Sequence, residues 1–325
     1  MNWRKELVNS YTRIADLLSA LELDINQIRP PTPAKTHFPF RVTRAYASRI
    51  KLRDPNDPLL LQVLPTNNEL VNPQNFCDDP VGEKPFEQDS SLLQKYNGRA
   101  LLITTGACAI NCRYCFRRAF PYQHMVKVRA IKNSMAQISR DLSIKEVILS
   151  GGDPLILDDR DLEKIFDSLV QIKHVERLRI HSRLPIVLPN RVTKRFIKLM
   201  RETKLQTSLV VHVNHPNELD NYTIESLRKC KENGLILLNQ SVLLKDINND
   251  VGTLTRLSES LFAAGVLPYY IHQLDRVTGA AHFEVPEAEA ASLERQLRIK
   301  LSGYLMPKFV REISKMGSKT PLSQI

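Results

Sequence analysis

Residues 100–117 read ALLITTGACAINCRYCFR, an apolar segment that continues into a loop with three cysteines. The first six of these residues have the length and apolar character of a buried strand. Cys108, Cys112 and Cys115 then follow at CxxxCxxC spacing. Three thiolates are one fewer than the four irons of a cubane iron-sulfur cluster, so one iron keeps an open coordination position. We therefore predict that these cysteines bind a four-iron, four-sulfur cluster that can do chemistry.

Two structural explanations for the cysteine loop account for less of the sequence. A zinc site needs a fourth Cys or His at a matching spacing, and the remaining cysteines, Cys77 and Cys230, stand alone. Disulfides are typical of exported chains. We expect Cys77 and Cys230 to bind no metal.

The composition is that of a soluble globular protein, because 42% of the 325 residues are hydrophobic and 25% are charged. No apolar run is long enough to span a bilayer, and the first residues, MNWRKELVNS, are charged where a signal peptide would be apolar. We expect a cytoplasmic protein with no membrane partner. The formal net charge of +11 favours an acidic partner or an anionic cofactor. The basic residues form no dense tract, so no nucleic acid is expected.

The order of the apolar segments predicts an α/β fold. From residue 93 onward, six short apolar runs alternate with amphipathic stretches of helical period, a pattern typical of βα units around a parallel sheet. We predict an open, partial barrel over 93–305, a helical N-terminal extension over 1–92 that wraps it, and a C-terminal lid segment over 306–325. The six runs are LLITT, EVILSGG, RLRIHSR, SLVVHVNH, LILLNQSVLL and LPYYIHQLD.

Polar residues follow several of these runs, and in a parallel barrel the carboxyl ends of the strands form one active face. The second run ends in Ser150, Gly151, Gly152 and Asp153. Glycines at a strand end let a ligand approach the backbone closely. The alternative is a tight turn in which Asp153 caps the next helix.

A lysine near the end of the chain, Lys319, stands in the small-residue context GSK. A lysine that forms a Schiff base with pyridoxal 5'-phosphate (PLP) needs a flexible backbone close to the cofactor. Taken alone, a lysine in this position is more often a solvated tail residue.

The chain resembles a known family in the cysteine loop and well beyond it. CxxxCxxC after a strand, with Tyr114 before the third cysteine, is similar to the cluster loop of radical S-adenosyl-L-methionine (SAM) enzymes, in which SAM binds the fourth iron. From about residue 95 to the end, the chain resembles the lysine 2,3-aminomutases, radical SAM enzymes that also carry PLP. The matching segments are LLITTGACAINCRYCFRR, SGGDPL, SRLPIVLP, VNHPNE, NQSVLL, PYYIHQLD and FVREISKMGSK.

This resemblance implies a partial TIM-like radical SAM barrel, three cofactors (a 4Fe-4S cluster, SAM and PLP) and roles for individual residues. Lys319 would be the catalytic lysine that binds PLP covalently, and Arg117 would pair with the substrate carboxylate, a task suited to a planar fork of donors. Asp275 and Glu312 would grip the ε-ammonium of a lysine substrate. The remaining implied residues are Lys95, Tyr96 and Arg99 at the PLP phosphate, Ser150, Gly151, Gly152 and Asp153 at SAM, and Cys108, Cys112 and Cys115 at the cluster.

The sequence departs from the family pattern at four places, one of which is the Gly-rich approach to the lysine, reduced here to KMGS. Lys95 stands where the larger family has arginine, and Glu312 stands where it has the shorter aspartate. Asp250 occupies the first position of the family's structural-zinc cysteines, and the chain ends before the others. We therefore expect no zinc.

The shortened form, which carries SKTPL close to its end, resembles the subfamily that makes β-lysine for modifying elongation factor P. The resemblance implies an isomerase that converts L-lysine into (R)-β-lysine, which a separate ligase attaches to the factor. The implied partners are an electron donor protein and, indirectly, elongation factor P and its lysine ligase.

Four other functions stay open on the sequence. The chain could use glutamate or arginine, make free β-lysine for metabolism, modify RNA, or bind a cluster without catalysis. A glutamate pocket is disfavoured, because burying three carboxylates together is costly. RNA modification, suggested by the positive charge, needs no PLP lysine. A non-catalytic module leaves the SGGD and GSKTP segments unexplained.

Overall fold

The computed structural model describes residues 2–33, 38–83, 91–122, 128–314 and 316–322. Within these residues, nine strands form one sheet whose strand order follows the chain. The strands are β1 Leu92–Tyr96, β2 Arg99–Thr105, β3 Glu146–Gly151, β4 Arg177–Ser182, β5 Gln206–Val211, β6 Ile236–Val242, β7 Leu267–His272, β8 Lys308–Arg311 and β9 Thr320–Pro321. The helices are α1 Trp3–Val8, α2 Ile14–Ala20, α3 Arg44–Ala47, α4 Pro58–Leu61, α5 Val128–Arg140, α6 Asp159–Val170, α7 Leu184–Val187, α8 Lys194–Glu202, α9 Asn221–Glu232, α10 Val251–Ala263 and α11 Glu287–Lys300.

The six predicted apolar runs form the parallel strands β2 to β7. β8 continues the parallel order, while β1 and β9 pair antiparallel at the two edges. Among the described strands none joins β1 to β9, so the barrel stays open. The predicted α/β fold with a partial barrel is therefore confirmed, and three short strands extend the six that were predicted.

The alternation of strands and helices follows from burial and from helix capping. Five of the six residues of β3 are buried, as expected for a parallel strand that is covered on both faces. The helices α6, α9 and α10 each begin after an aspartate whose carboxylate accepts a backbone N–H of the first turn. One of these caps is Asp250, at the position where the family has its first zinc cysteine.

The N-terminal region shares its core with the barrel. Leu17, Leu59 and Tyr46 are fully buried in the same apolar cluster as Val147 and Leu178 of the sheet. Burying a side chain of this size is worth about 1.5 to 3 kcal/mol, so the region gains its stability by covering the barrel. No helix in the described ranges is long and apolar enough to cross a membrane.

The C-terminal segment returns to the sheet after α11. β8 aligns beside β7, with Ile271 opposite Phe309, and β9 then pairs with β8 through Val310 and Pro321. The chain between β8 and β9 carries Glu312 and Lys319, so both side chains come to the carboxyl end of the barrel.

Candidate active site

One cavity of about 350 Å³ lies at the carboxyl ends of the parallel strands. Its wall includes every residue for which the sequence suggested a role. These residues are Lys95, Tyr96, Arg99, Cys108, Cys112, Cys115, Arg117, Ser150, Gly151, Gly152, Asp153, Asp275, Glu312 and Lys319. Side chains that are more than 200 residues apart in sequence therefore line one cavity, which includes the three cysteines and Lys319.

The cysteine loop is anchored by the N-terminal region. The backbone N–H groups of Asn111 and Arg113 donate to the carbonyls of Arg41 (3.0 Å) and Gln62 (2.9 Å). The Arg113 guanidinium is completely buried and donates two hydrogen bonds to Glu69, at 2.7 and 2.6 Å. A buried bidentate ion pair of this kind fixes the orientation of both partners. The loop is thus held by groups outside the barrel, which explains why the extension must fold with it.

The three thiols of the loop are reduced and lie partly open to the cavity. Burial raises the pKa of Cys108 well above its usual value, and burial together with the nearby Cys112 raises the pKa of Cys115 to about 11. In the described part of the chain, no three His, Cys, Asp or Glu side chains are placed so that they could hold one metal ion. The three thiols therefore line a wall of the cavity and do not form a site for a single ion. Three thiols grouped in one wall suit a 4Fe-4S cluster, whose irons would bind them as thiolates.

Arg183, at the end of β4, connects the loop to the barrel. Its guanidinium donates to the sulfur of Cys112 at 2.7 Å, to Glu218 at 2.8 Å and to Gln62 at 2.7 Å. Both of these acceptor residues, Glu218 and Gln62, are fully buried. Arg183 thus places a positive charge in contact with Cys112, one of the predicted cluster ligands.

The glycines after β3 are required by the approach of the cysteine loop. Gly151 has φ +137°, and a Cβ there would lie 2.3 Å from the carbonyl oxygen of Thr105. A Cβ on Gly152 would lie 2.3 Å from the carbonyl oxygen of Ala107. Any larger residue at either position would push the loop away from the sheet.

Asp153 holds this corner together. Its carboxylate accepts hydrogen bonds from the backbone N–H groups of Leu155, Arg183 and Leu184 and from the Ser182 hydroxyl, at 2.7 to 3.1 Å. Burial raises the pKa of Asp153 to about 6, although these hydrogen bonds oppose the shift. The residue caps the turn after β3, as the structural alternative in the sequence anticipated, and it lines the cavity as well.

Lys319 faces a cluster of polar side chains at the other end of the cavity. Its Nζ donates to Glu312 at 2.9 Å, and the Tyr96 hydroxyl donates to the same carboxylate at 2.5 Å. Burial alone would raise the pKa of Glu312, but Lys319 and the Tyr96 hydrogen bond outweigh it and hold that pKa below its usual value. Lys95 lies 3.8 Å from Glu312, so its charge also reaches this cluster.

Arg99 stands beside this cluster, with its guanidinium 4.6 Å from the centre of the Tyr96 ring. Its Nε is buried and has no hydrogen-bond partner within the described chain. An unpaired buried donor is costly, and an anion would satisfy it. Together with Lys95 and Tyr96, Arg99 therefore fits the phosphate of a cofactor such as PLP.

Arg117 is paired with a residue for which the sequence suggested no role. Its Nε and Nη2 donate to the carboxylate of Glu83, both at 2.8 Å, and its Nη1 donates to the Ser150 hydroxyl at 3.0 Å. Glu83 outweighs the effect of burial and raises the pKa of Arg117. Glu83 lies in the N-terminal extension, where no motif marked it, so sequence reasoning missed it.

Asp275 follows β7 and is the least engaged acid of the cavity. No hydrogen bond or ion pair reaches its carboxylate from the described residues. Burial raises the pKa of Asp275 to about 7, against the opposing effect of Lys319. A half-buried carboxyl group without a partner among the described residues is a natural acceptor for a cationic ligand.

Three histidines form the floor of the cavity beneath these groups, and two of them join Gln240. His212 and His181 lie 2.7 and 3.4 Å from the Gln240 amide nitrogen, and His272 stands on β7 beside Tyr270. Burial lowers the pKa of His212 to about 3 and lowers that of His181 and His272 as well. The floor is therefore neutral at physiological pH, and the charged groups stand at the walls.

Residues 102–257 match the family model of the radical SAM superfamily. The chain is 43% identical over 323 residues to the L-lysine 2,3-aminomutase of Escherichia coli (strain K12), covering 99% of this chain and 94% of that protein. It is 42% identical over 320 residues to the L-lysine 2,3-aminomutase of Haemophilus influenzae, covering 98% and 95%. Among solved structures, Streptococcus suis SuiB superposes with a TM-score of 0.50 at 14% identity, over 67% of this chain and 50% of that one. At that identity the likeness concerns the fold alone.

Proposed function

The chain belongs to the lysine 2,3-aminomutase family within the radical SAM superfamily, and from this premise we propose that it moves the amino group of L-lysine from carbon 2 to carbon 3. The product would be (R)-β-lysine. The observation that carries the proposal is one cavity whose wall includes the three thiols, Lys319 and the two acids Asp275 and Glu312.

The thiols of Cys108, Cys112 and Cys115 would hold a 4Fe-4S cluster, and SAM would lie between the cluster and the corner from Ser150 to Asp153. When bound, this pair supplies a radical, which the reaction needs because the β carbon of lysine is not activated toward polar chemistry. The protein's own contribution is to keep the site dry and to fix the loop. The buried Arg113 and Arg183 networks serve that purpose.

Lys319 would bind PLP covalently, with Lys95, Tyr96 and Arg99 at its phosphate. PLP supplies a π system through which the migrating nitrogen can pass between carbons. The Nζ of Lys319 pairs with Glu312. Covalent attachment to PLP would draw Nζ out of this ion pair, and Glu312 would then be available to a second cation.

The substrate would be held at both ends. Arg117 would bind its α-carboxylate, and Asp275 and Glu312 would accept hydrogen bonds from its ε-ammonium. Two acids at the far end favour a cationic side chain over glutamate, because a third carboxylate would add repulsion in a buried space. The unpaired state of Asp275 supports this assignment.

The segment over 306–325 would act as a lid. It carries Lys319 and Glu312 to the cavity, and its described residues join the sheet through the short strands β8 and β9. Closing such a segment excludes water and completes the site in one motion.

We propose that the product is used to modify elongation factor P, through a separate ligase, and that an electron donor protein reduces the cluster. The resemblance to the short subfamily supports this assignment. Deleting the gene and measuring the mass of elongation factor P tests it. The factor should lose the mass of one lysine-derived group, and an unchanged mass would overturn this use while leaving the chemistry intact.

The catalytic proposal is tested by supplying substrates to the anaerobically reconstituted enzyme with SAM, PLP and a reductant. L-Lysine, L-arginine and L-glutamate are each incubated separately, and the products are separated by chiral chromatography. We expect (R)-β-lysine from lysine and no β-amino acid from glutamate. A β-amino acid formed from glutamate or arginine but not from lysine would contradict the assignment of Asp275 and Glu312.

A further inference from the structure

The most unexpected contact in the cavity is the ion pair between Glu83 and Arg117. Glu83 is 4% exposed and lines the cavity, and both of its carboxylate oxygens accept hydrogen bonds from Arg117 at 2.8 Å. It also lies 3.7 Å from the Nζ of Lys95. Glu83 thus occupies Arg117, the residue that the proposed function assigns to the substrate's carboxylate.

A count of donors shows that Arg117 has no complete fork left. A guanidinium has five N–H groups. Nε and one Nη2 hydrogen serve Glu83, while Nη1 faces the Ser150 hydroxyl at 3.0 Å and the Gly151 carbonyl at 3.4 Å. A second carboxylate therefore cannot bind Arg117 in the same bidentate way while Glu83 stays in place.

We propose that Glu83 is a built-in occupant of the substrate-carboxylate site, which the α-carboxylate of the amino acid displaces from Arg117. This inference rests on the proposed function. Exchanging one carboxylate for another keeps Arg117 paired, so the exchange avoids leaving a buried charge without a partner. A ligand that lacks a carboxylate cannot make this exchange, and it would leave the Glu83 pair intact.

The surroundings of Glu83 give the displaced carboxylate a place to go. Lys95 is within reach of Glu83, and its Nζ donates to the Val81 carbonyl of the same turn at 2.7 Å. The neighbouring Gly82 has φ +67°, and a Cβ there would lie 2.5 Å from the Ser314 hydroxyl. The turn that carries Glu83 is therefore packed against the C-terminal segment that carries Lys319.

The consequence is a specificity device. The affinity for an amino acid is reduced by the fraction of molecules in which Glu83 holds Arg117. Glu83 thereby sets the affinity for ligands with a carboxylate and has little effect on diamines or amides. Residue 83 is a specificity-determining position and takes no part in the chemical step.

The test compares two buried glutamates that pair with arginine in the same way. Glu69 binds Arg113 through two hydrogen bonds at 2.7 and 2.6 Å, but neither residue lines the cavity. The variants Glu83→Gln and Glu69→Gln are prepared as the PLP-loaded, cluster-reconstituted protein. Without SAM, L-lysine and L-lysinamide are titrated into each by calorimetry.

We expect Glu83→Gln to bind L-lysine about tenfold more tightly, because the substrate carboxylate no longer competes with a charged side chain for Arg117. Tenfold corresponds to the strength of one charge-assisted hydrogen bond. Its affinity for L-lysinamide should equal that of the wild type. Glu69→Gln breaks a buried pair outside the cavity, so it should lower the melting temperature without tightening the binding of either ligand. An unchanged or weaker affinity of Glu83→Gln for lysine would overturn the inference, because Glu83 would then support Arg117 and not compete for it.

Two further outcomes are distinguishable. If Glu83→Gln does not fold, Glu83→Asp keeps the charge but shortens the side chain, and it should bind lysine more tightly than the wild type; an unchanged affinity would contradict the displacement. A wild-type protein that binds lysine and lysinamide equally well would also contradict it, since the carboxylate would then have no role. Wild-type protein that binds neither ligand would overturn the proposed function itself.

Discussion

The cysteine loop and the C-terminal segment face the same cavity, but the protein holds them in different ways. The loop is fixed by backbone bonds from the N-terminal region and by the buried Arg113 and Arg183 networks. The C-terminal segment is held by the two short strands β8 and β9 and by the contacts of Glu312 with Tyr96 and Lys95. The ion pair between Lys319 and Glu312 lies within this segment, and its side chains are 26% and 10% exposed. The cysteine loop is thus anchored by buried groups of other regions, while Lys319 makes a contact that a ligand can replace.

This difference suits the two kinds of chemistry assigned to the cavity. A cluster must keep its geometry through each turnover, so its ligands gain from fixed neighbours. The covalent lysine must exchange partners as cofactor and substrate arrive, and a half-buried ion pair allows that. Substitutions in the cysteine loop should therefore abolish cluster binding, and substitution of Lys319 should abolish PLP attachment, while substitution of the acid Asp275 should give a graded loss.

The largest effect is expected at the cysteine end. Cys112→Ala removes the thiol that Arg183 contacts, and the remaining two thiols cannot hold a four-iron cluster. Iron content after anaerobic reconstitution should fall to the level of adventitious iron. Cys77→Ala, which changes an exposed cysteine outside the cavity, is the control and should keep its iron. Full iron in Cys112→Ala would show that the loop does not bind the cluster.

The next effect concerns the covalent lysine. Lys319→Ala should eliminate the absorbance of covalently bound PLP, because Lys95, the other described lysine of the cavity wall, is assigned to the phosphate. Borohydride reduction of the wild type followed by peptide mapping should label Lys319. Lys308→Ala, an exposed lysine of β8, should leave the labelling unchanged. A label on another residue would show that Lys319 is not the lysine that binds PLP.

A graded loss is expected at the substrate pocket. Asp275→Asn removes an acceptor for the ε-ammonium, and a hydrogen bond between charged groups is worth about 1.5 to 3 kcal/mol. The kcat/KM for lysine should therefore fall roughly ten- to a hundredfold. Asp161→Asn, on the exposed start of α6, should have no effect. Equal kcat/KM values for Asp275→Asn and wild type would show that Asp275 does not bind the ε-ammonium of lysine.

The smallest effect is the dependence of lysine binding on pH. The pKa of Asp275 is raised to about 7 by burial, with Lys319 opposing and Glu312 adding to the shift. The carboxyl group is neutral below that pH and charged above it, so affinity for a cation should rise severalfold between about pH 6 and 8. The floor histidines do not titrate there, since the pKa of His212 is about 3. Calorimetric titrations at both pH values should show a steeper rise for wild type than for Asp275→Asn.

The sequence predicted the central barrel because each of its six strands is a continuous apolar run. It predicted the cluster loop for a similar reason, since the three cysteines lie within eight residues. The short strands β1, β8 and β9 carry too few residues to show a period. The role of Lys319 followed only from the resemblance, because its partners lie far away in sequence.

The ion pair of Glu83 with Arg117 could not be predicted at all. Its two residues are 34 positions apart, and one belongs to a Pro-rich and Asn-rich region with no periodic pattern. The contact between Arg183 and Cys112 is similar, because only the folded barrel brings the end of β4 to the cysteine loop. Pairings of this kind depend on the tertiary fold and leave no local signal in the chain.

The central claim is that the two ends of the cavity act together to move a nitrogen within one molecule. The most direct test supplies the anaerobic, fully reconstituted enzyme with a mixture of α-¹⁵N-lysine and uniformly ¹³C-labelled lysine of normal nitrogen. We predict β-lysine in which ¹⁵N occurs only in unlabelled carbon chains and is bonded to carbon 3, as read by mass spectrometry and NMR. Release of ¹⁵N as ammonia, or its appearance in ¹³C-labelled product, would contradict the account.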